Sequence, residues 1–465
     1  MPPRPKESGA RRWLLLLLAF LLSLPAVTSR IYASDEVEYF SWLHSLSFDR
    51  DTAFENEYTH FYESGQVKNP AFHQTFLEER NSAGHHRNFT PVGSALLWAP
   101  FYLAGHVAAH VTGAPADGLS QPYITAVALG SACYGFLSVL LSAAIARRVV
   151  GSGMAAAVAV WIGTPLLFYM YVTPMFSHAC SAFAVSLFLW TWIRVRDRWS
   201  VGGALALGAA GALMAIVREQ DAFFIAGPLL DFGRYLVLPR PSAARERRSP
   251  VLAALAGVLG FVLVVTPQLL AYKSLNNHFG PDDSVQNKMS WTAPHKWQVL
   301  FDVAHGLFAW TPLALVAVAG LVWLAVGKRS RDTRWIAVCA IVMFILQAYI
   351  AGAVESWTVA GAFGQRRFVS VTPLLVLGLA ALFEAVRSSA AAHPNRRRAL
   401  MGVVALSVWW NLGLMAQFGT NTMDRQRLSL EANAWRTFVQ LPRDAPSLAW
   451  QYLTHREAFY GRPPQ

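Results

Sequence analysis

The chain has 465 residues, and charged residues make up 14% of it, against roughly 25% in an ordinary soluble domain. Hydrophobic residues account for 54% and aromatic residues for 13%, which excludes a disordered protein and a coiled coil. The formal net charge of +12 does not indicate a nucleic-acid partner, because cytoplasmic loops of membrane proteins collect Lys and Arg. Cys133, Cys180 and Cys339 fall inside apolar segments and form no metal-binding motif.

Apolar residues are concentrated in blocks long enough to cross a membrane. A transmembrane helix needs about 20 predominantly apolar residues. The blocks cover 13–29, 92–111, 121–146, 149–170, 172–193, 201–217, 222–238, 250–272, 304–326, 335–352, 369–386 and 399–417. This pattern predicts an all-α polytopic membrane protein and argues against a soluble multidomain enzyme.

Basic residues orient these blocks. Arg4, Lys6, Arg11 and Arg12 precede the first block and place the N-terminus in the cytoplasm. If block 92–111 crossed the membrane, the later basic clusters would lie outside; if it lies on the outer face, all of them lie inside. We therefore predict about 11 transmembrane helices, with 92–111 at the interface. The later clusters are 147–148, 194–198, 234–248, 328–334 and 387–398.

This topology divides the chain into four parts. Residues 1–29 form the first transmembrane helix or a signal anchor, and 30–120 form an extracytoplasmic loop with amphipathic and juxtamembrane helices. Residues 121–417 form a bundle of about ten transmembrane helices, and 418–465 form an extracytoplasmic tail. A cleaved signal peptide stays open for the first block, because small residues follow its apolar run.

An acidic pair opens the first outer loop, in the segment SDEVEYF. Ser34 is suited to cap a helix, which places Asp35 and Glu36 in the first turn, where they complement the helix dipole. A carboxylate at this interface would be partly desolvated, which raises its pKa and makes it a better base. Apolar residues then recur at helical spacing, which predicts an amphipathic helix lying on the membrane; they are Val37, Phe40, Leu43 and Leu46.

The acidic pair, placed just after the first span as DEVEYF, resembles the motif that opens the first luminal loop of protein O-mannosyltransferases. It is also similar to the motif of the bacterial lipid A aminoarabinose transferase. Both are GT-C glycosyltransferases, which use sugars carried on polyprenyl phosphate. Four further segments resemble that superfamily in the same order: HHRNFTPVGSALLWAPFYL, AIARRVVG, MAIVREQDAFF and WTVAGAFGQRRF. In the third, Gln and Asp replace residues of a common Arg-Pro-Glu motif.

The resemblance implies a GT-C-like bundle and an inverting glycosyltransferase that acts at the outer face of a bacterial inner membrane. It implies Asp35 as the general base toward an acceptor hydroxyl, with Glu36 holding the acceptor or orienting Asp35. The implied partners are a polyprenyl-phosphate-linked sugar donor, a glycan, lipid or protein acceptor, and membrane lipid. A divalent metal stays open, because the superfamily includes metal-dependent and metal-independent members.

Two basic clusters are candidates for binding the lipid phosphate, which gains negative charge as it leaves. His85, His86 and Arg87 precede the proposed juxtamembrane helix, and Arg366 with Arg367 lies at the outer start of a late span. Arginine binds phosphate as a bidentate fork. The simpler interpretation of both clusters is contact with lipid headgroups.

Arg218 interrupts an apolar run together with two acids, Glu219 and Asp221. A tight outer turn with an internal Arg–carboxylate pair is the simplest interpretation, and phosphate binding by Arg218 is the alternative. His178, at another outer span end, is expected to be a satisfied interface residue.

A multi-pass transporter or flippase of a lipid-linked or amphiphilic substrate stays open as a second interpretation. It predicts two similar halves with broken helices that meet at a central site, and no such internal pairing is visible. The transferase predicts a cavity at the outer interface with Asp35 on its wall. The altered REQD segment also leaves open a catalytically inactive scaffold in envelope assembly.

Overall fold

The computed structural model describes residues 7–238, 249–292, 294–359, 361–389 and 393–455. Within these ranges the chain is helical, and its β-structure consists of two isolated bridges, Arg80 with His86 and Met289 with Val354. The predicted all-α class is therefore confirmed. Four stretches that entered the sequence predictions lie outside the described residues: 1–6, 239–248 of a basic cluster, 390–392 of another, and 456–465 of the tail.

The long helices coincide with the apolar blocks, and a folded loop of shorter helices comes after the first long helix. The first eleven are α1 Glu7–Ser23, α2 Ser34–His44, α3 Glu55–Glu63, α4 Pro70–Phe72, α5 Gly93–Thr112, α6 Gln121–Val150, α7 Met154–Gly163, α8 Leu166–Tyr171, α9 His178–Val195, α10 Val201–Val217 and α11 Ala226–Val237. The others are α12 Pro250–Asn276, α13 Asp283–Asn287, α14 Gln298–Phe301, α15 Leu307–Trp310, α16 Pro312–Val326, α17 Arg331–Ala353, α18 Thr372–Ser388, α19 Pro394–Gly419, α20 Leu430–Trp435 and α21 Leu441–Thr454. Short 3-10 or π-helical turns cover Leu24–Ala26, Ser45–Asp49, His73–Glu78, Glu219–Ile225, Arg366–Val371 and Arg436–Gln440.

Six of the described helices are long and apolar enough to cross a membrane, namely α6, α9, α12, α17, α18 with its preceding turn, and α19. Four shorter apolar helices accompany them, at Trp13–Ala26, Met154–Gly163, Val201–Val217 and Pro312–Val326. The chain is thus an integral multi-pass membrane protein. Helix α5, which we predicted to lie at the interface, falls in neither group of described helices. The total of about 11 spans stays a prediction.

Contacts between helix ends distinguish two opposite ends of the bundle. At one end, Arg196 after α9 meets Asp231 of α11 and Asp332 of α17, with N–O distances of 2.8 and 2.6 Å. We call this the inner end, because it holds the basic loops predicted to be cytoplasmic. The opposite, outer end gathers the start of α2, the connection between α8 and α9, the turn before α18 and the end of α19.

Helix α2 is enclosed by the outer loop instead of lying on a membrane surface. Every residue from Glu36 to His44 is buried, and the helix packs against α3 and α5. The ring of Trp42 lies edge-on to Phe54 at 4.8 Å, and its indole N–H donates to the Thr90 carbonyl at 3.0 Å. The amphipathic surface helix of the sequence prediction is therefore a core helix of the outer loop.

The C-terminal tail folds back against the outer end. The backbone N–H of Leu428 donates to the carbonyl of Ala304 at 2.9 Å, and that of Gly361 donates to the carbonyl of Arg425 at 3.0 Å. These bonds carry Arg425 into the region of the candidate site, where the sequence indicated only a polar tail.

Candidate active site

Asp35 lies in the first turn of α2 and forms an ion pair with Arg366, at the start of the turn before α18. The Asp35 Oδ2 atom is 3.0 Å from Arg366 Nη1, and the two side chains are 40% and 24% exposed. The guanidinium also lies 5.2 Å from the centre of the Phe176 ring. The fold thus joins two candidates that stand at opposite ends of the sequence.

This pair lies on the wall of a cavity of about 220 Å³ at the outer end. One further cation, Arg425, lines the same cavity. A second cavity of about 380 Å³ shares part of this wall, including Arg425. The carboxylate of Asp35 therefore faces a hollow with aromatic and cationic walls; its ring-bearing residues are Tyr32, Phe168, Tyr169, Phe176, Phe363 and Phe418.

Arg367, the next residue in the turn, is held by its backbone. Its carbonyl accepts hydrogen bonds from the side-chain amides of Gln220 at 2.9 Å and Gln347 at 2.7 Å. Its Nη2 lies 3.3 Å from both the carbonyl and the hydroxyl oxygen of Ser356. The buried Nε has no hydrogen-bond partner within the described part of the chain. A partly exposed guanidinium with a buried, unused donor is suited to bind an anion.

Arg218 approaches the same region from the turn between α10 and α11. Its Nη1 donates to Nδ1 of His178 at 2.7 Å and lies 3.4 Å from the Ser177 hydroxyl. Its Nη2 donates to the Gln220 side-chain oxygen at 3.3 Å. Arginine has no acceptor, so His178 accepts this bond in its neutral form. The interface residue that we expected at His178 is thus a support for Arg218.

The two acids that follow Arg218 use other partners. The Tyr272 hydroxyl donates a hydrogen bond to Glu219, and the Ser181 hydroxyl donates one to Oδ2 of Asp221 at 2.6 Å. Burial raises the pKa of Asp221 to about 6, although the charge of Arg218 and the bond from Ser181 oppose the shift. The predicted role of Arg218 in phosphate binding stays a prediction.

Glu36 caps α2 and is not on the cavity wall. Its Oε2 accepts hydrogen bonds from the backbone N–H groups of Tyr32 at 3.0 Å and Ala33 at 3.2 Å. Burial raises the pKa of Glu36 to about 8, and the two N–H donors oppose this only in part. Of the two acids in this turn, Glu36 is therefore the one that burial removes from water. Ser34, the predicted cap, is instead the first helical residue, and Ala33 holds the cap position.

Two buried tyrosines that the sequence analysis did not select also belong to this region. Tyr169, on the cavity wall, donates to the carbonyl of Phe363 at 3.0 Å. Tyr39, one turn after Asp35, accepts a hydrogen bond from Ser177 at 2.8 Å. Burial raises the pKa of Tyr39 to about 12, so it stays a neutral hydroxyl. With aromatic residues at 13% of the chain, no local signal set these two apart.

His85, His86 and Arg87 use partners within the outer loop and at the end of α12. The Nδ1 atoms of the two histidines lie 2.9 and 2.7 Å from the carbonyl oxygens of Leu275 and Phe76. Arg87 pairs at 3.1 Å with a carboxylate of the same loop. None of the three lines the cavity beside Asp35. Their predicted role in phosphate binding stays a prediction.

The fold and the site define a multi-pass membrane protein with an Arg–Asp pair beside an aromatic and cationic cavity. No family model matches the chain, and no curated protein matches it. Among solved structures, the chain is similar to ArnT from Cupriavidus metallidurans.

Two crystal structures of ArnT give this similarity. The structure bound to undecaprenyl phosphate is 13% identical in sequence, with 96% of this chain and 81% of ArnT covered and a TM-score of 0.47. The apo structure is 16% identical, with 95% of this chain and 81% of ArnT covered and a TM-score of 0.43.

Proposed function

We propose that this chain is an integral-membrane glycosyltransferase of the GT-C type. It transfers a sugar from a polyprenyl-phosphate donor to an acceptor hydroxyl at the outer face of the membrane, with inversion at the anomeric carbon. The observation that carries the proposal is the 3.0 Å pair of Asp35 and Arg366 on the wall of the outer-end cavity. A carboxylate and a guanidinium side by side supply the base and the phosphate-binding cation that this reaction needs.

Asp35 acts as the general base. The acceptor oxygen forms a bond to the anomeric carbon while the bond from that carbon to the phosphate oxygen breaks, and the hydroxyl proton passes to Asp35. Attack from the face opposite the leaving phosphate inverts the anomeric centre, as in one-step sugar chemistry. The Asp35 side chain is 40% exposed, so it can reach a substrate in the cavity. Glu36 is buried, with a pKa of about 8, and acts as a positioning residue that caps the helix carrying Asp35.

Arg366 and its neighbours receive the departing lipid phosphate. Arg366 faces the cavity, Arg367 keeps a buried Nε without a partner among the described residues, and Arg218 is held in place by His178. Cations fixed in advance stabilise the charge that develops on the phosphate without reorganisation during the reaction. When phosphate occupies Arg366, the carboxylate of Asp35 is released from the ion pair and can accept the hydroxyl proton.

The position of the cavity favours the transferase over a transporter. Its wall is formed by helix ends and connections, at the start of α2, between α8 and α9, before α18 and after α19. A transporter of the repeat type holds its substrate near the midplane, between two similar halves. The acid pair of the outer loop would also have no role in such a transporter.

The test is an assay of Asp35→Asn in the full-length chain, reconstituted in nanodiscs. Candidate polyprenyl-phosphate sugars are supplied with mixed acceptors, and free polyprenyl phosphate is detected by mass spectrometry. Loss of a general base is expected to lower the transfer rate by about 10²–10⁴-fold. The matched control is Asp444→Asn. Like Asp35 in α2, Asp444 is an acid in the first turn of its helix, α21, and its side chain is exposed.

Transfer by Asp35→Asn within a few-fold of the wild-type rate would exclude Asp35 as the base. A wild-type chain that moves a fluorescent lipid-linked sugar across vesicles without releasing polyprenyl phosphate would instead establish the flippase.

A further inference from the structure

A second cluster of charged groups lies in the outer loop, apart from the Asp35 cavity. His44 ends α2, Asp49 ends the π-helical turn that follows, and Glu57 lies in the first turn of α3. The Nδ1 atom of His44 is 3.1 Å from Oδ2 of Asp49 and 2.9 Å from Oε1 of Glu57. One nitrogen and two oxygens from three successive elements therefore converge, all within 4.8 Å of one another.

The second ring nitrogen fixes the tautomer of His44. Its Nε2 lies 3.1 Å from the backbone carbonyl oxygen of Asp117, and a carbonyl only accepts, so Nε2 carries a proton. In the neutral ring Nδ1 is then a bare lone pair that faces two carboxylate oxygens. A proton, on the ring or on a carboxyl group, or a metal ion is needed between them. Metal-binding histidines typically direct their other N–H to a carbonyl or carboxylate in this way.

Glu57 favours the metal ion over the proton. Its side chain is fully buried, and Oε2 has no hydrogen-bond partner among the residues that the structure describes. A single proton on Nδ1 leaves this oxygen unsatisfied, which is costly in a buried site. A divalent ion can bind both oxygens of the carboxylate, or hold a water that reaches the second one.

The backbone of the loop builds this arrangement. The π-helical turn Ser45–Asp49 returns Asp49 to His44, five residues earlier, and it ends at Arg50, whose φ of 62° is left-handed. Single π-helical turns are frequent at functional sites. The amide of Asn56 donates to Oδ2 of Asp49 at 2.9 Å and orients that carboxylate. Ligands bonded tetrahedrally to one ion at about 2.0–2.1 Å lie about 3.3–3.4 Å apart, so the separations of 3.1 and 2.9 Å around Nδ1 would widen by only a few tenths of an ångström around an ion.

An open groove of about 830 Å³ leads from solvent to Asp49. Acidic side chains line it, and their charge raises the local concentration of cations. The groove thus provides an entry path for a positive ion; the other acids on its wall are Asp51, Glu55 and Glu63.

We propose that His44, Asp49 and Glu57 form a binding site for a zinc-type divalent ion. The ion ties the end of α2 to α3 and, through Asp117, to the loop after α5. A ligand set of one imidazole and two carboxylates suits Zn²⁺, whereas Ca²⁺ and Mg²⁺ prefer oxygen ligands alone. The site is separate from the Asp35 cavity and does not depend on the proposed transfer reaction.

The test is zinc binding by the full-length chain in detergent. After removal of metal with a chelator, the chain is titrated with ZnCl₂ by calorimetry, and thermal unfolding is followed with and without zinc. We expect one equivalent of Zn²⁺ to bind and to raise the unfolding temperature. Glu57→Gln, which keeps the shape of the side chain, is expected to weaken zinc binding at least about tenfold.

Two histidine variants serve as controls. His73→Ala removes a histidine of the same loop that pairs with a single carboxylate at 2.8 Å, and it is expected to leave zinc binding unchanged. His110→Ala disrupts a second pair able to bind zinc, since Nε2 of His110 lies 3.2 Å from Nε2 of His106. A loss of bound zinc in this variant would identify zinc held by the His106–His110 pair.

The proposal is wrong if the stripped wild-type chain takes up no zinc, or if folded Glu57→Gln keeps the full equivalent. The first result would mean that a second ring proton alone joins the cluster. Circular dichroism without zinc reports whether Glu57→Gln is folded. If it is not, Asp49→Asn provides the same test, because this side chain is 30% exposed. Substitution by Co²⁺ gives a visible absorption band that reports the ligands directly.

Discussion

The inner and outer ends of the bundle each hold an arginine among carboxylates, but the two clusters are built differently. At the inner end, all three guanidinium nitrogens of Arg196 donate to Asp231 or Asp332, at 2.6 to 3.2 Å. The Arg196 side chain is 2% exposed. At the outer end, Arg366 pairs with Asp35 through one nitrogen at 3.0 Å, and both side chains border a cavity.

The difference separates a cluster that holds helices together from one that is available to a ligand. A buried guanidinium with every nitrogen hydrogen-bonded to carboxylates is costly to break, because removal of one member leaves an uncompensated buried charge. A partly exposed pair joined through one nitrogen contributes less to stability than a buried network, so it can exchange partners with a substrate. An Arg–Asp pair by itself therefore does not mark a site; its exposure and unused donors do.

The strongest test of this comparison is Arg196→Ala. We expect it to lower the free energy of unfolding by about 3–5 kcal/mol, because Asp231 stays buried without its partner. Arg148→Ala is the control, since Arg148 pairs with Asp197 at 3.1 Å with both side chains about half exposed; it should cost about 0–1 kcal/mol. Denaturant unfolding in detergent measures both. Equal small losses would mean that the inner network does not stabilise the bundle.

Arg366→Gln tests the outer cluster. If the proposed function holds, the affinity for a polyprenyl phosphate should fall about 10–100-fold, or about 1.4–2.8 kcal/mol, while the unfolding temperature changes little. Native mass spectrometry of the chain with added lipid measures the binding. Arg427→Gln is the control, because Arg427 is 76% exposed and pairs with Asp424 in the tail. The comparison fails if Arg366→Gln destabilises the chain as much as Arg196→Ala does, or if it leaves lipid binding intact.

The last test of the outer end concerns Glu36 and pH. The pKa of Glu36 is raised from 4.5 to about 8 by burial, so the folded chain binds this proton more tightly than the unfolded chain. The stability gained from it is full below pH 4.5 and is lost as the pH rises toward 8. The unfolding temperature of the wild type should therefore fall between pH 5 and pH 8.

Glu36→Gln, which cannot titrate, should remove that part of the pH dependence, and Glu63→Gln, at an exposed acid of the same loop, should retain it. Identical pH profiles for the wild type and Glu36→Gln would show that Glu36 keeps no proton in the folded chain.

Much of the fold followed from local sequence properties. Apolar blocks predicted the all-α membrane class, since a helix in lipid satisfies its own backbone and needs only length and apolarity. Its boundaries differ at the first helix, which ends at Ser23 where the apolar block runs to residue 29. The acidic pair after this helix and the arginines before α18 were also selected as site candidates from sequence.

Tertiary structure alone decided how those candidates are used. Only the packing of α2 shows which of two adjacent acids is buried as a cap, Glu36, and which faces the cavity, Asp35. In the folded chain, Asp35 pairs with Arg366 and not with Arg87, and Arg425 of the tail lies on the same cavity wall. Hydropathy and charge are properties of short segments, whereas desolvation, unused donors and ion pairs depend on contacts between segments far apart in the chain. For that reason the sequence alone was enough to predict the class of protein, whereas the tertiary structure was needed to show which residues contact one another at the site.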